Sequence, residues 1–343
     1  MIRRLQDLIV GWGLSFHPPI GPLAAGILML LLAVLFGFLG MRVRRTGRAV
    51  ERWFGLAVSA LVALFLASVA VVDLRGIAIV KATHSNPIGT LTVAGTKEQI
   101  ARGEKLAHLC SACHTSTYPR RLPLDGQEEV SPLGFYAPNL TPGGILKDES
   151  DGQLIRAIRE GVDKNGRTLL FMPSEVFQKF SDADVLSIVA YMRSQPAVTR
   201  PTPPRNLSIF GTILVGLDLL PTQAQAPIRE PVVAPAAGIT PEYGRYLSEI
   251  SGCVSCHGKD LSGGASGFPL DWPPVGPSLT LIVSTWSEAD FIRTFRTSID
   301  PKGKTLAAEE MPAVLYSQAF SDDELKALYA YIRGLKPSTP VAK

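Results

Sequence analysis

Two long runs without charged residues dominate the hydropathy pattern near the start of the chain. Residues 20–40 form the first run and residues 53–72 form the second. A helix of about 20 apolar residues spans a hydrocarbon core of about 30 Å. A helix that is apolar on every side does not suit the surface of a soluble domain. The pattern therefore predicts a transmembrane helical hairpin within residues 1–74, and a pair of buried core helices is the alternative.

The segment between these runs, residues 41–52, determines the predicted topology. It carries five arginines and a single acidic residue, Glu51. Short loops rich in Lys and Arg stay in the cytoplasm. We therefore expect loop 41–52 to be cytoplasmic and the chain after Asp73 to lie in the periplasm, outside a bacterial inner membrane. A cleaved signal peptide has a shorter apolar region, so we expect a retained anchor.

The rest of the chain repeats itself. CSACH at 110–114 returns as CVSCH at 253–257, and REGVDKNGRTL at 159–169 returns as RTSIDPKGKTL at 296–306. Repetition of motifs in the same order indicates two copies of one domain. We place these copies at 75–195 and 240–343.

Each copy has the pattern of an all-α domain. Apolar residues after the FSDAD and FSDDE motifs follow helical spacing, and no stretch alternates as a strand does. Side chains suited to helix N-caps precede the first and last helix of each copy. These caps are Thr96, Ser181, Thr240 and Ser321.

A linker at 196–239 joins the two copies. It is rich in proline at both ends, and its middle, residues 207–220, is apolar apart from the acidic Asp218. This middle part is too short to span a membrane. We expect a helix that lies either between the two domains or on the membrane surface.

The charge balance excludes a nucleic-acid surface. The chain has 34 basic and 30 acidic residues, and residues 1–74 hold seven of the basic and three of the acidic ones. This leaves 27 of each sign for residues 75–343, without a basic run of the kind that binds nucleic acid. The positive surplus is therefore a signal of membrane topology.

All four cysteines lie in two C-x-x-C-H motifs, the attachment signature of c-type haem. The two thiols of each motif can bond to the vinyl groups of one porphyrin, and the following histidine can bind its iron. A four-cysteine zinc site needs pairs about 15–20 residues apart, and a redox C-x-x-C needs a thioredoxin-like context; neither alternative fits. We predict two covalently attached haem c groups, on Cys110, Cys113 and His114 and on Cys253, Cys256 and His257.

The second axial ligand of each iron follows by elimination. Beyond residue 240 the only methionine is Met311, and its counterpart in the first copy is Met172. Of the rivals, Met192 is expected in the core, His108 is too close to the attachment turn, and His84 is expected in solvent. Ligation by His and Met fills both axial positions, which favours electron transfer over catalysis at the iron.

These motifs resemble class I c-type cytochromes, and the resemblance covers both copies. It implies tandem cytochrome c domains in which a glycine of the first helix contacts an aromatic residue of the last: Gly103 with Tyr191, and Gly244 with Tyr331. It also implies that Pro138 and Pro277 accept a hydrogen bond from the haem-binding histidines through their carbonyl groups. Ordinary turn formation is the alternative role of these prolines.

More narrowly, PNLTP at 138–142, REGVDKNGRTL and the Met-Pro pairs are similar to the cytochrome subunits of membrane-bound alcohol and gluconate dehydrogenases. Those subunits usually carry three haem domains, whereas two are predicted here behind an N-terminal transmembrane pair. The two-haem layout is also similar to the cytochrome subunit of some haem–copper oxidases.

We therefore expect an electron-transfer subunit of a respiratory or photosynthetic membrane complex, itself no enzyme. The expected partners are the lipid bilayer, integral membrane redox subunits and a soluble cytochrome or other electron carrier. The alternatives are a free membrane-tethered electron shuttle, a dihaem peroxidase-like enzyme with an open iron site, and an assembly factor.

Overall fold

The computed structural model describes residues 21–43, 49–116, 121–127, 133–220, 222, 224–264, 275–308 and 311–338. Within these ranges the regular elements are helices, and the only β-type contacts are isolated bridges. The all-α expectation is confirmed for this part of the chain. The helices divide between two compact units, which are described in turn.

The first unit contains two long helices, α1 (Pro22–Val43) and α2 (Ala49–Lys81), packed along each other. Their segments Pro22–Arg42 and Ala49–Lys81 are long and apolar enough to cross a membrane. Only 22% and 6% of their most apolar stretches are buried, which argues against buried core helices. The second helix continues beyond the uncharged run at 53–72 and ends at Lys81.

The apolar middle of the linker forms a short helix, α7 (Ile209–Gly216), that belongs to the first unit. Ser208 caps its start, and the helix packs against α2. Of the two settings that the sequence left open, packing between the repeated domains is therefore wrong. Proline-rich sequence on either side gave no signal for the contact with α2, because that contact joins residues far apart in the chain.

The second unit contains both copies of the repeat. The first copy contributes α3 (Lys97–Cys110), a 3₁₀ turn (Ile145–Asp148), α4 (Asp151–Glu160), α5 (Ser174–Phe177) and α6 (Asp182–Ser194). The second contributes α8 (Pro241–Ile250), α9 (Cys253–His257), α10 (Leu279–Thr285), α11 (Glu288–Thr297), α12 (Ala313–Ala319) and α13 (Asp322–Gly334).

The predicted caps begin the expected helices. Ser181 accepts a hydrogen bond from the Asp184 backbone N–H, and Ser321 forms a complete capping box with Glu324. Thr96 and Thr240 cap α3 and α8 in the same manner. Each cap satisfies a backbone N–H that the first helical turn would otherwise leave without a partner.

The first and last helices of each copy cross at a glycine. A Cβ on Gly103 would lie 1.8 Å from the Ser187 carbonyl oxygen and 2.9 Å from the Tyr191 Cβ. A Cβ on Gly244 would lie 1.9 Å from the Ala327 carbonyl oxygen and 2.9 Å from the Tyr331 Cβ. Only glycine permits such close backbones. The glycine–aromatic contact that the resemblance implied is present in both copies.

Candidate functional site

The first C-x-x-C-H motif follows directly from the end of α3. Cys110 closes that helix, and its carbonyl oxygen accepts hydrogen bonds from the backbone N–H groups of Cys113, at 3.2 Å, and His114, at 3.0 Å. This turn brings both cysteines and the histidine close together. Cys110 is buried, and Cys113 is exposed.

The second motif forms its own short helix, α9, directly after α8. Gly252 precedes it with a φ of 70°, a left-handed conformation that suits glycine. Backbone hydrogen bonds to Cys256 and His257 tie the motif to the chain that follows, from Gly276 at 2.7 Å and Gly263 at 2.8 Å respectively. His257 is buried, with 6% of its surface exposed.

Both histidines are oriented by the prolines that the resemblance singled out. Nδ1 of His114 lies 3.0 Å from the Pro138 carbonyl oxygen, and Nδ1 of His257 lies 2.8 Å from the Pro277 carbonyl oxygen. A carbonyl oxygen can only accept, so the proton must be on Nδ1. The lone pair of each Nε2 is then available to a metal.

The protonation states of these side chains also suit haem attachment. Burial lowers the pKa of His114 and His257, although the proline carbonyls act in the opposite direction. The imidazoles are therefore neutral at neutral pH, as iron ligands must be. Burial raises the pKa of Cys110 to about 12. Such a thiol lacks the thiolate character of a disulfide-exchange site.

Met172 and Met311 occupy equivalent places in the two copies. Each is half-buried against the hydrophobic core and precedes a proline that begins a short helix, α5 or α12. The methionine carbonyl accepts a hydrogen bond from Ser174 N–H at 2.8 Å in the first copy and from Ala313 N–H at 2.7 Å in the second. The local turn around both candidate ligands is thus the same.

The rival residues lie elsewhere. Met192 is 2% exposed within the core, which confirms its packing role. His108 is half-buried on α3, one turn before the first motif. The expectation that His84 is in solvent is wrong: its Nε2 lies 2.7 Å from the Thr168 hydroxyl, half-buried. That contact joins two distant segments, so local sequence gave no sign of it.

These donor sets fit haem c. Each copy supplies two cysteines and a neutral imidazole with a fixed tautomer, and a half-buried methionine follows in each. Gly276 lies so close to His257 that a Cβ there would be 2.5 Å from the ring Nδ1. Among the described residues, which include all four cysteines, no group of three or more His, Cys, Asp or Glu could hold a metal ion, as a four-cysteine zinc site would require.

Sequence reasoning missed a charged cluster where the two copies meet. Arg102 on α3 pairs with Asp184 of its own copy and with Glu324 of the other. Tyr243 and Tyr246 on α8 hydrogen-bond to Glu324 and Asp184 respectively. Arg102 and Tyr243 begin the aligned RGEKL and YGRYL motifs, but the contact between copies leaves no local pattern.

Comparison with known proteins supports a cytochrome c assignment. Residues 242–336 match the family model described as cytochrome c, and such a domain carries covalently bound haem c. The cytochrome c subunit of alcohol dehydrogenase (quinone) from Gluconacetobacter polyoxogenes is 29% identical over 272 residues, covering 70% of this chain and 57% of that protein. The fructose dehydrogenase cytochrome subunit of Gluconobacter japonicus is 25% identical over 275 residues, covering 74% and 56%.

A more distant similarity extends to one component of nicotinate dehydrogenase from Pseudomonas putida, 26% identical over 258 residues, which cover 69% of this chain and 21% of that protein. The chain therefore contains a cytochrome c domain and is homologous to cytochrome subunits of dehydrogenases. It spans little more than half the length of the first two relatives.

Proposed function

We propose that this chain is the electron-transfer subunit of a membrane redox complex and carries two haem c groups in the periplasm. One observation carries the proposal: beside each C-x-x-C-H motif, the histidine Nδ1 is bound to a proline carbonyl. The second of these motifs lies within the cytochrome c match. Its geometric counterpart around His114 supports a first domain of the same kind.

The chain's own residues would divide the work as follows. Cys110 and Cys113, and in the second copy Cys256 with Cys253, would hold the porphyrins as thioethers. His114 and His257 would bind iron through Nε2, kept in one orientation by their Nδ1 hydrogen bonds. Bound haem iron supplies a reversible one-electron step.

Met172 and Met311 would fill the remaining axial positions. A thioether ligand raises the reduction potential, and a fully ligated iron has no site for oxygen or peroxide. This ligand set supports a carrier rather than an enzyme. The first domain would extend over 75–195 and the second over 240–343.

The two apolar helices support a membrane anchor. Large apolar side chains remain exposed along both, among them Leu64 and Phe65, each about two-thirds exposed. Exposed apolar surface of this extent indicates contact with lipid. The arginines of loop 41–52 support a cytoplasmic loop and hence periplasmic haem domains.

The relatives suggest the class of partner. Two of them are cytochrome subunits of an alcohol and a fructose dehydrogenase. We infer that a dehydrogenase's catalytic subunit is the electron donor. A soluble cytochrome or a membrane carrier would accept the electrons.

Mild-detergent purification with mass spectrometry of the copurifying chains tests this proposal. We expect a dehydrogenase catalytic subunit together with this chain. A lone chain with two haems would favour the membrane-tethered shuttle, and a copurifying oxidase or reaction centre would change the partner.

Carbon monoxide separates the carrier from a peroxidase-like enzyme. We expect the reduced, native protein to bind none, because both irons have two axial ligands. Rapid binding of one equivalent per chain would overturn the carrier assignment.

A further inference from the structure

The helix α7 has two faces of different composition. Gly211, Thr212, Val215 and Gly216 form its inner face and are buried against the first unit. On the outer face, Phe210 is 45% exposed and Leu217, just after the helix, is 49% exposed. Ile213 and Leu214 lie partly exposed between them. We refer to Phe210, Ile213, Leu214 and Leu217 as the outer face of α7.

The inner face makes a close small-residue contact with α2. A Cβ on Gly76 would lie 1.8 Å from the Thr212 carbonyl oxygen, and a Cβ on Gly216 would lie 2.0 Å from the Val72 carbonyl oxygen. The Thr212 hydroxyl is hydrogen-bonded to the fully buried carboxyl group of Asp73. Backbone contact and a buried polar bond together fix α7 on α2.

The contacts define the direction of α7. Arg205, ahead of the helix, donates to the Val80 carbonyl oxygen at 3.0 Å, whereas Gly216 at its end lies beside Val72. The helix therefore runs antiparallel to α2. Its last turn reaches the end of the uncharged run at 53–72. In the proposed topology this level is the outer boundary of the hydrocarbon core.

An ion pair marks the polar side of this boundary. Arg75 pairs with Asp218 at 2.8 Å and also donates to the Gly216 carbonyl oxygen. This arginine gives the exposed end of α7 a charged and hydrogen-bonded neighbour. Such an arrangement suits the headgroup region, where charged groups remain hydrated while adjacent apolar side chains enter the lipid.

We propose that α7 is a third membrane-contacting element and that its outer face lies against lipid acyl chains. The inference rests on the proposed anchoring of α1 and α2. Helix–helix contacts within membranes favour small residues, and α7 uses its glycines and threonine on α2. The outer face instead has large apolar side chains, which suit lipid rather than a partner helix. It continues the exposed apolar surface of α2, where Val71 is 60% exposed.

Spin-label accessibility tests the inference in the purified complex, reconstituted in phosphatidylcholine vesicles. Single cysteines would be introduced as Phe210→Cys and Leu217→Cys and labelled with a nitroxide. The native cysteines, bound to haem in the proposed protein, would not react. Oxygen, which partitions into lipid, and a water-soluble nickel chelate would compete as relaxing agents. Val233→Cys, at an 81% exposed apolar position of the second unit, provides a control in water.

We expect oxygen to relax the labels at 210 and 217 more strongly than nickel, with the reverse order at 233. Stronger relaxation by nickel at 210 and 217 would place the outer face in water. Weak relaxation by both agents would mean that protein covers it. Either result overturns the inference.

Phe65→Cys, within the proposed span of α2, separates this failure from failure of the anchor. Oxygen-dominated relaxation at 65 with nickel-dominated relaxation at 210 would retain the anchor and reject the third contact. Nickel-dominated relaxation at both positions would reject the anchor and the third contact together.

Discussion

Arg102 in the first copy of the repeat forms a 2.5 Å ion pair with Glu324 in the second. The same guanidinium group pairs with Asp184 of its own copy at 2.9 Å. Tyr243 donates to Glu324 at 3.1 Å, and Tyr246 donates to Asp184 at 2.5 Å. Two carboxylates, one from each copy, thus share one arginine, and each is supported by a tyrosine.

Replacing Arg102 should strongly destabilise the haem-binding unit. Arg102→Met would leave Asp184 and Glu324 as neighbouring, mostly buried carboxylates without their cation. We expect the free energy of unfolding to fall by about 2–4 kcal/mol, somewhat below the cost for a fully buried pair because the Arg102 side chain is 24% exposed. Urea denaturation in mild detergent measures the change.

Arg293→Met provides the matched control. Arg293 pairs with Asp290 on one helix, and its side chain is 55% exposed. Its loss should cost less than about 1 kcal/mol. Equal effects of the two substitutions would mean that the link between copies contributes no more than a surface pair.

Glu324 should make stability depend on acid pH. Its burial favours the neutral acid, but Arg102 and the Ser321 cap outweigh burial and hold the pKa of Glu324 below its ordinary value. A carboxylate with a depressed folded-state pKa stabilises the fold fully above its unfolded pKa of about 4.3, and this contribution disappears as pH falls through the folded pKa.

The stability difference between the natural protein and Glu324→Gln should therefore be greatest near neutral pH and shrink below about pH 4. Denaturation midpoints of both proteins across this range measure it. Taking the difference removes the contributions of other carboxylates. A difference that does not change with pH would contradict the assigned ionisation.

The crossing glycines should tolerate no side chain. Gly103→Ala and Gly244→Ala would each place a Cβ within 2 Å of a backbone carbonyl oxygen, and we expect a loss of about 1–3 kcal/mol or more from separation of the helices. Gly334→Ala, where no atom lies within 4 Å of the added Cβ, should be nearly neutral. Thermal unfolding of the three variants compares them, and a neutral Gly244→Ala would contradict the packing.

Each proposed methionine ligand should be separable from core methionine. Met172→Ala and Met311→Ala should each open one iron, so that the reduced protein binds about one equivalent of carbon monoxide and that haem's potential falls. Met192→Leu, a volume-conserving core change, should bind none. Optical titration with carbon monoxide measures all three. If Met172→Ala binds none, the assignment for the first haem is wrong.

The sequence predicted features that depend on nearby residues. The caps at Thr96 and Ser321 and the cysteine–histidine turns are local, so their signals lie within a few positions of one another. The repeat extended this reach: a single Met311 in the second copy identified Met172 in the first. The pairing of each histidine with a proline carbonyl was available only through the resemblance.

Contacts between distant segments could not be predicted. The Arg102–Glu324 pair and the His84–Thr168 hydrogen bond join residues with no shared periodic pattern. The position of α7 on α2 depends on complementary backbone surfaces at Gly76 and Gly216. A glycine in the sequence does not reveal which backbone approaches it.

Intact-mass spectrometry of the purified chain tests the central claim most directly. We predict a mass increase of two haem groups that survives denaturation. A Cys110→Ala/Cys113→Ala variant should retain one, and so should a Cys253→Ala/Cys256→Ala variant. A natural chain with only one attached haem, unchanged by the first pair of substitutions, would contradict the two-haem account.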